Sequence, residues 1–231
     1  MVGGRMVGMV QRQQREMPVV RRPELALPPL SPFGERELGP EGDHDGVAFE
    51  DLDLSGQSGV GTMFLDCGLY RCRLDEAALE RARFLDSRLD SVSGVGTDLA
   101  GAQLRDVELR DARLGGTKFQ RAAFDRVLIR GGKLEFLNLR QAELTDVSFE
   151  GCVLVEPDFS GARLRRVSFD GCVLRRSDLT GAELQDVDLR GAVELDIASG
   201  SDRLSGAVIS SVQLTELAPV LAAQLGLRVQ G

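Results

Sequence analysis

In the stretch GAELQDVDLRGA, residues 181–192, Leu184 and Leu189 stand five apart, and Ala182, Val187 and Ala192 each precede a fifth position by two. A helix repeats its buried face about every 3.6 residues and a strand every two. Neither element alone accounts for a period of five. Stepping by five from Phe49 to Leu189 visits 29 positions, of which 27 are Leu, Phe or Ile and the other two are Gly59 and Gly94. Two residues before each stands a mostly small side chain, among them Ala102, Val107, Ala112, Ala122, Val127 and Cys152, and the spacing holds even where Leu52, Gln57, Leu137 or Pro157 takes that place. Two inward positions separated by one outward residue mark a very short strand, and the rest of each five must turn the chain. If four such sides close a square, the chain returns above itself after every fourth side. GAQLRDVELR (101–110), RAAFDRVLIR (121–130), QAELTDVSFE (141–150), GARLRRVSFD (161–170) and GAELQDVDLR (181–190) align at steps of four fives without a gap.

TDLAGAQL, PDFSGARL and SDLTGAELQDVDL resemble the pentapeptide-repeat family, whose motif is A(D/N)Lxx, over roughly residues 47–194, with a weaker echo at LSGAVI, 204–209. The resemblance implies an all-β solenoid, a right-handed quadrilateral parallel β-helix. Seven coils at about 4.8 Å each predict a rod on the order of 34 Å long. Residues 1–45 carry six of the eight prolines and no periodicity, so they are read as a flexible leader with polyproline-II character around RRPELALPPLSP. The repeat rod is placed at 46–209. After Leu189 the register loosens, Glu194 falls on an otherwise inward position, and the rod is expected to end.

Residues 210–231 are read as a helical cap. Leu214, Leu217, Leu221 and Leu225 stand at helical spacing, Ser210 or Ser211 suits the N-cap, Gly226 suits the stop, and Pro219 is expected to kink or divide the helix. In the gyrase-binding proteins of the family the C-terminal end dimerises. The resemblance therefore implies a homodimer interface at Leu217, Leu221 and Leu225.

The excess of 36 acidic over 28 basic residues, a net charge of −8, argues against a nucleic-acid or anionic-membrane surface and favours a basic protein partner. With no Trp, one Tyr and one His, the chain lacks the usual material for base stacking or general acid–base chemistry. The Gly-rich GQSGVG (56–61) and SGVGTD (93–98) lack phosphate-loop spacing and are read as local dents or bulged corners. His44 falls in the leader and reads as solvated. Cys67, Cys72, Cys152 and Cys172 occupy small inward positions without metal-knuckle spacing, and the last two lie one coil apart, so they should stack. The chain is accordingly read as non-enzymatic, with neither cofactor nor metal. The N-terminal stretch MVGGRMVGMVQRQQREM holds no uninterrupted apolar run of signal-peptide length, and nothing approaches the roughly 18 residues of a membrane span, so the cytoplasm is the expected location.

Folding the chain at the four-side period aligns Asp66, Asp86, Asp106, Arg126, Asp146, Arg166 and Asp186 in one outward column. Stacked like charges repel, which makes Asp66, Asp86, Asp106, Asp146 and Asp186 candidate partner-binding residues; the plainer alternative is a corner that keeps the rod soluble. A second column, Asp98, Lys118, Asn138, Asp158 and Asp178, reads as corner hydrogen bonding. Residues 49–111 hold thirteen acidic and seven basic side chains, so the early coils carry most of the negative charge. The resemblance to the Qnr, Mfp and albicidin-resistance members implies a DNA mimic that occupies the DNA-binding saddle of DNA gyrase or topoisomerase IV, modulating the enzyme or shielding it from inhibitors. The alternative is a protein–protein interaction scaffold with another partner.

Overall fold

The computed structural model describes residues 17–34 and 37–228; the signal-peptide reading of the first residues falls outside these, apart from Met17. The chain winds as a parallel solenoid with four faces. Face A begins with Asp43–Asp45, Met63–Leu65 and Arg83–Leu85 and continues through the first halves of the eight-residue strands Gln103–Arg110, Ala123–Arg130, Glu143–Glu150 and Arg163–Asp170. Face B holds Val47–Glu50, Gly68–Tyr70, Arg88–Asp90 and the second halves of those strands. Face C runs from Ser93–Val95 to Glu194–Ser199. Face D is a ladder of single bridges from Ser58–Ala78 to Asp158–Asp178. Partners lie four steps of five apart, as in Leu104 with Phe124 and Leu144 with Leu164.

The turn at each corner has a simple backbone cause. Every fifth residue from Gly46 to Asp186 has positive φ, between 48° and 72°. Eleven of these 29 corners are Gly and seven are Asp, the residues for which the left-handed conformation costs least. One left-handed residue swings the chain into the next face, and its N–H bonds the neighbouring coil: Asp51 donates to Tyr70 O at 2.9 Å and Gly56 to Asp75 O at 2.8 Å. At the D-to-A corner a turn closes as well, with Ala102 N–H donating to Leu99 O at 3.0 Å and Ala122 N–H to Phe119 O at 3.0 Å. Gly101 and Arg121 supply the positive φ that a type II turn requires at its third residue.

Inside, the fifth-position residues stack in columns. Phe64 on Phe84 and Phe149 on Phe169 are parallel rings with centroids 4.7 Å apart, which is the coil spacing itself. From Thr62 to Val187 the position two residues earlier is buried, Gly132 apart, and several of its polar occupants bond the coil below: Ser87 Oγ donates to Phe64 O, Thr97 Oγ1 to Leu74 O and the Cys152 thiol to Ile129 O. All four cysteines are free and buried in this layer.

Several expectations are corrected at the ends. The register reaches back past Phe49 to His44, which is buried between Phe33, Phe49 and Phe64 rather than solvated, because its strand, Asp43–Asp45, pairs with Met63–Leu65. Ser31–Pro32 pairs with Val47–Ala48, so the solenoid takes in part of the segment read as a leader, and face B counts ten strands. Gly59 makes neither dent nor bulge: a Cβ there would lie 2.9 Å from Leu79 and 3.5 Å from Leu38, whose side chains occupy the space. At the other end the rod does not stop at Glu194. One extra residue shifts the pairing, Val173 opposite Glu194 and Leu174 opposite Leu195, so Leu195 turns inward while Glu194 meets Arg175 outside at 3.0 Å. LSGAVI pairs in step, Ala207 with Val187.

The helix α1, Ser211–Gln224, closes the C-terminal end. Ser210 caps it in a reciprocal box with Gln213, and it runs through Pro219 undivided, since the Thr215 carbonyl that loses a donor faces solvent. Gln213 Nε2 donates to Leu189 O at 2.7 Å and Ala192 O at 3.2 Å, tying the helix to backbone carbonyls of the last coils. Among the described residues no helix is long and apolar enough to cross a membrane.

Phe136 is the one aromatic residue at a left-handed corner, with φ 54° and 55% exposure, directly above Gly116. Phe136→Gly should therefore stabilise by about 1 kcal/mol and Gly116→Ala should destabilise by a similar amount. Thermal melts of the two variants check this; the same sign in both would refute the corner assignment.

Candidate functional site

The corner between faces A and B carries the acidic column. Its members share a left-handed backbone, Asp66 at φ 49°, Asp86 at 48°, Asp106 at 53°, Asp146 at 55° and Asp186 at 55°. Aspartate therefore recurs there partly for a conformational reason, a signal that spacing alone does not reveal. The five carboxylates fall into different environments. Arg126 grips Asp106 through two hydrogen bonds, Nε at 2.6 Å and Nη2 at 2.5 Å, and these hold its carboxyl below the usual carboxylate range. Asp186, on the last corner of the column, is half-buried.

Asp146 departs furthest from the expectation. Its side chain is 0% exposed, held by Arg166 at 2.7 and 2.6 Å from one side and by Arg21 Nε at 2.8 Å and Nη2 at 2.5 Å from the other. Burial pushes this carboxyl up, and the two guanidinium groups pull it down by more, leaving it well below the carboxylate range. It is not a free partner-binding residue, because the chain's own arginines occupy it.

Asp66 and Asp86 differ again. Among the described residues neither makes an ion pair. The Asp86 carboxyl is pushed up by partial burial and by the neighbouring charges of Asp106 and Asp66. Two successive coils thus present stacked carboxylates without a direct ion pair among the described residues, Arg105 and Arg126 offsetting the repulsion at Asp86 only in part.

The second column performs the structural role its spacing suggests. Asp98, Asn138, Asp158 and Asp178 accept the backbone N–H two residues on, at 3.1, 3.2, 2.9 and 2.8 Å. The three leucines assigned to a dimer interface also separate. Leu217 is 4% exposed against the rod end, Leu221 packs on the same core, and Leu225 is 77% exposed. Leu217 and Leu221 are committed to the cap, and no single free stripe contains all three. Among the described residues no cluster of His, Cys, Asp or Glu has the arrangement of a metal site.

Depressed carboxyls at Asp106, Asp146, Asp158 and Asp188 fix the sign of a pH effect. Their stabilisation is complete above the ordinary aspartate pKa near 4 and is lost as pH falls through the lower folded values. Melting temperature should hold from pH 7 to about 5 and fall below about 4. Asp146→Asn should melt lower at pH 7 and lose less on acidification, its cost staying below the roughly 3–5 kcal/mol of a fully buried pair because Arg21 remains exposed. Parallel acid profiles for the two proteins would contradict this.

A model of the pentapeptide repeat region matches residues 62–139 and 142–199. No curated protein matches the chain. Among solved structures, a trypsin-treated form of QnrB1, a plasmid-mediated fluoroquinolone resistance protein, is 21% identical, covers 87% of this chain and 96% of its own, and superposes with a TM-score of 0.30. A second such form is 16% identical over 82% and 100%, with a TM-score of 0.33. HetL, a pentapeptide repeat protein involved in heterocyst differentiation regulation in the cyanobacterium Nostoc, is 19% identical over 77% and 93%, with a TM-score of 0.27. At these scores none of the three informs the geometry or partner of this chain. The two matched segments span more than half the sequence and carry the same register that the coils display: the chain belongs to the pentapeptide-repeat family.

Proposed function

We propose that this protein is a non-enzymatic, cytoplasmic interaction rod whose early acidic corner competes with DNA for the basic DNA-binding surface of a type II topoisomerase, gyrase or topoisomerase IV. The observation that carries the reading is the pair Asp66 and Asp86, stacked in successive coils without a direct ion pair among the described residues. A structural corner gains nothing from that repulsion, whereas a surface complementary to arginines and lysines does. The match to DNA is local. Net charge −8 along nine coil steps of about 4.8 Å is roughly one charge per 5 Å, against one per 1.7 Å for duplex DNA. Mimicry of the whole duplex is therefore not the mechanism; a short acidic edge presented on a stiff rod is. In this reading a homodimer, which the family resemblance implies, is built on the exposed Val212, Leu214, Leu225 and Leu227 rather than on Leu217.

Asp66→Asn with Asp86→Asn tests the proposal without weakening the fold. The Asp86 carboxyl is pushed up in the folded state, so neutralising it removes repulsion and should leave melting temperature unchanged or higher. The wild-type protein should bind gyrase or topoisomerase IV at low salt, lose affinity steeply as salt rises and be displaced by linear duplex DNA, while the double variant binds at least tenfold more weakly. Absence of binding at low salt would leave the protein–protein scaffold as the reading that stands.

A further inference from the structure

Residues 21–32 form a strap along the outside of the rod. At its upper end Arg21 holds Asp146 and donates its backbone N–H to the same carboxylate at 3.2 Å, while Arg22 pairs with Glu150. At its lower end Ser31–Pro32 joins face B one coil below Val47. From Asp146 to that level is six coils, about 29 Å at the usual strand spacing, and ten residues of polyproline II reach about 31 Å. The strap therefore runs extended and without slack. Pro23, Leu25, Leu27 and Leu30 are half-buried while Glu24, Ala26 and Pro28 are exposed, an alternation that lays one edge of the strap on the rod.

Face B bears the mark of this cover. On face A the outward residue before each core position is exposed at Arg83, Gln103, Ala123, Glu143, Arg163 and Glu183. The equivalent row on face B is buried at Ala48, Gly68, Glu108, Leu128 and Ser148 and half-buried at Arg88, then half-buried again at Ser168 and Asp188, above the strap. Leu128, an apolar residue pointing away from the core, is only 4% exposed.

From Arg21 to Leu30 the hold is that of a ligand on a receptor, whereas Ser31–Pro32 pairs as a strand of the sheet. Among the described residues, 22–30 make no backbone hydrogen bond to the rod, and Pro23, Pro28 and Pro29 have no N–H to give. Asp146 is a preformed receptor: Arg166 keeps its charge compensated when Arg21 leaves. Arg21 and Arg22 remain 60% and 58% exposed, so water reaches the anchors.

We propose that face B is a binding site for an extended segment of a partner protein bearing an arginine pair followed by apolar residues at every second position, with residues 21–30 as its resident ligand, tethered by the strand Ser31–Pro32. The site recognises an extended backbone by shape and the arginines by Asp146 and Glu150. A short tether keeps the resident strap at an effective concentration on the order of millimolar, so the free rod is self-occluded and a partner segment must displace it. The inference uses neither Asp66 nor Asp86 and stands apart from the topoisomerase reading.

The test uses full-length proteins and a fluorescein-labelled peptide of residues 17–33, followed by anisotropy. A variant with Arg21→Glu, Leu25→Asp and Leu27→Asp, which cannot seat its own strap, should melt cooperatively and bind the peptide at least tenfold more tightly than wild type, more weakly as salt rises. Adding Asp146→Asn should reduce that binding at least tenfold. Adding Glu150→Gln or Leu128→Asp instead gives the same readout if Asp146→Asn fails to fold. Equal peptide binding by wild type and the strap-displaced variant overturns the proposal, as does loss of cooperative unfolding in that variant, which would make the strap part of the fold.

Discussion

Everything in this molecule depends on one left-handed residue in every five. Without it a run of residues like Gln103–Arg110 would continue straight as a strand; with it the chain turns a corner and, four corners later, meets itself. Closure then sets the packing and the backbone pairing. The fifth-position Leu and Phe have only the axis to fill, the small residues two before them fit beside it, and the backbone N–H groups of the faces find acceptors in the coils above and below. A left-handed conformation costs an ordinary L-residue roughly 1–2 kcal/mol, so 29 corners are tolerable only because Gly and Asp hold so many of them and because the corner N–H groups bond the neighbouring coil.

That constraint also explains which parts of the molecule could be read from its residues. The register of five and its fourfold multiple are repeated covalently, so the solenoid, its core columns and the roles of Asp98, Asn138 and Asp158 were legible in full. The corner conformation was not, since periodicity locates a turn without giving its φ, and the aspartate column consequently looked more purely functional than it is. His44 and Leu38 lie ahead of the unbroken Leu and Phe series that starts at Phe49; a histidine among prolines carries no apolar signal, although His44 falls on the same register. The slip near Ala192 that turns Leu195 inward leaves no periodic trace at all.

The strap was illegible for a different reason. Its prolines and mixed charge match a disordered linker in composition, and what orders it lies far along the chain, in Asp146, Glu150 and Leu128. No local rule connects Arg21 with Asp146; only the coil count places them together. The same holds for α1, whose apolar stripe suggests a partner until Gln213 is seen bonding the last coil's carbonyls. Two surfaces of the rod are thus covered by its own chain ends, and among the described residues the acidic early corner has no direct ion pair. The free surface of a repeat protein is decided by its least repetitive segments.

If coils are interchangeable layers of four sides each, chain length should matter only modulo one whole coil. Removing residues 121–140 joins Gln120 to Gln141 and leaves every remaining core residue on its own column; removing 121–139 rotates all later residues by one position and points Leu144, Phe149 and their successors at solvent. Circular dichroism and thermal melts of the two deletions compare them directly. The account predicts a β-rich, cooperatively melting protein for the whole-coil deletion and an unfolded or aggregated chain for the one that stops a residue short; equal stability of the two, or survival of the shorter deletion alone, would contradict it.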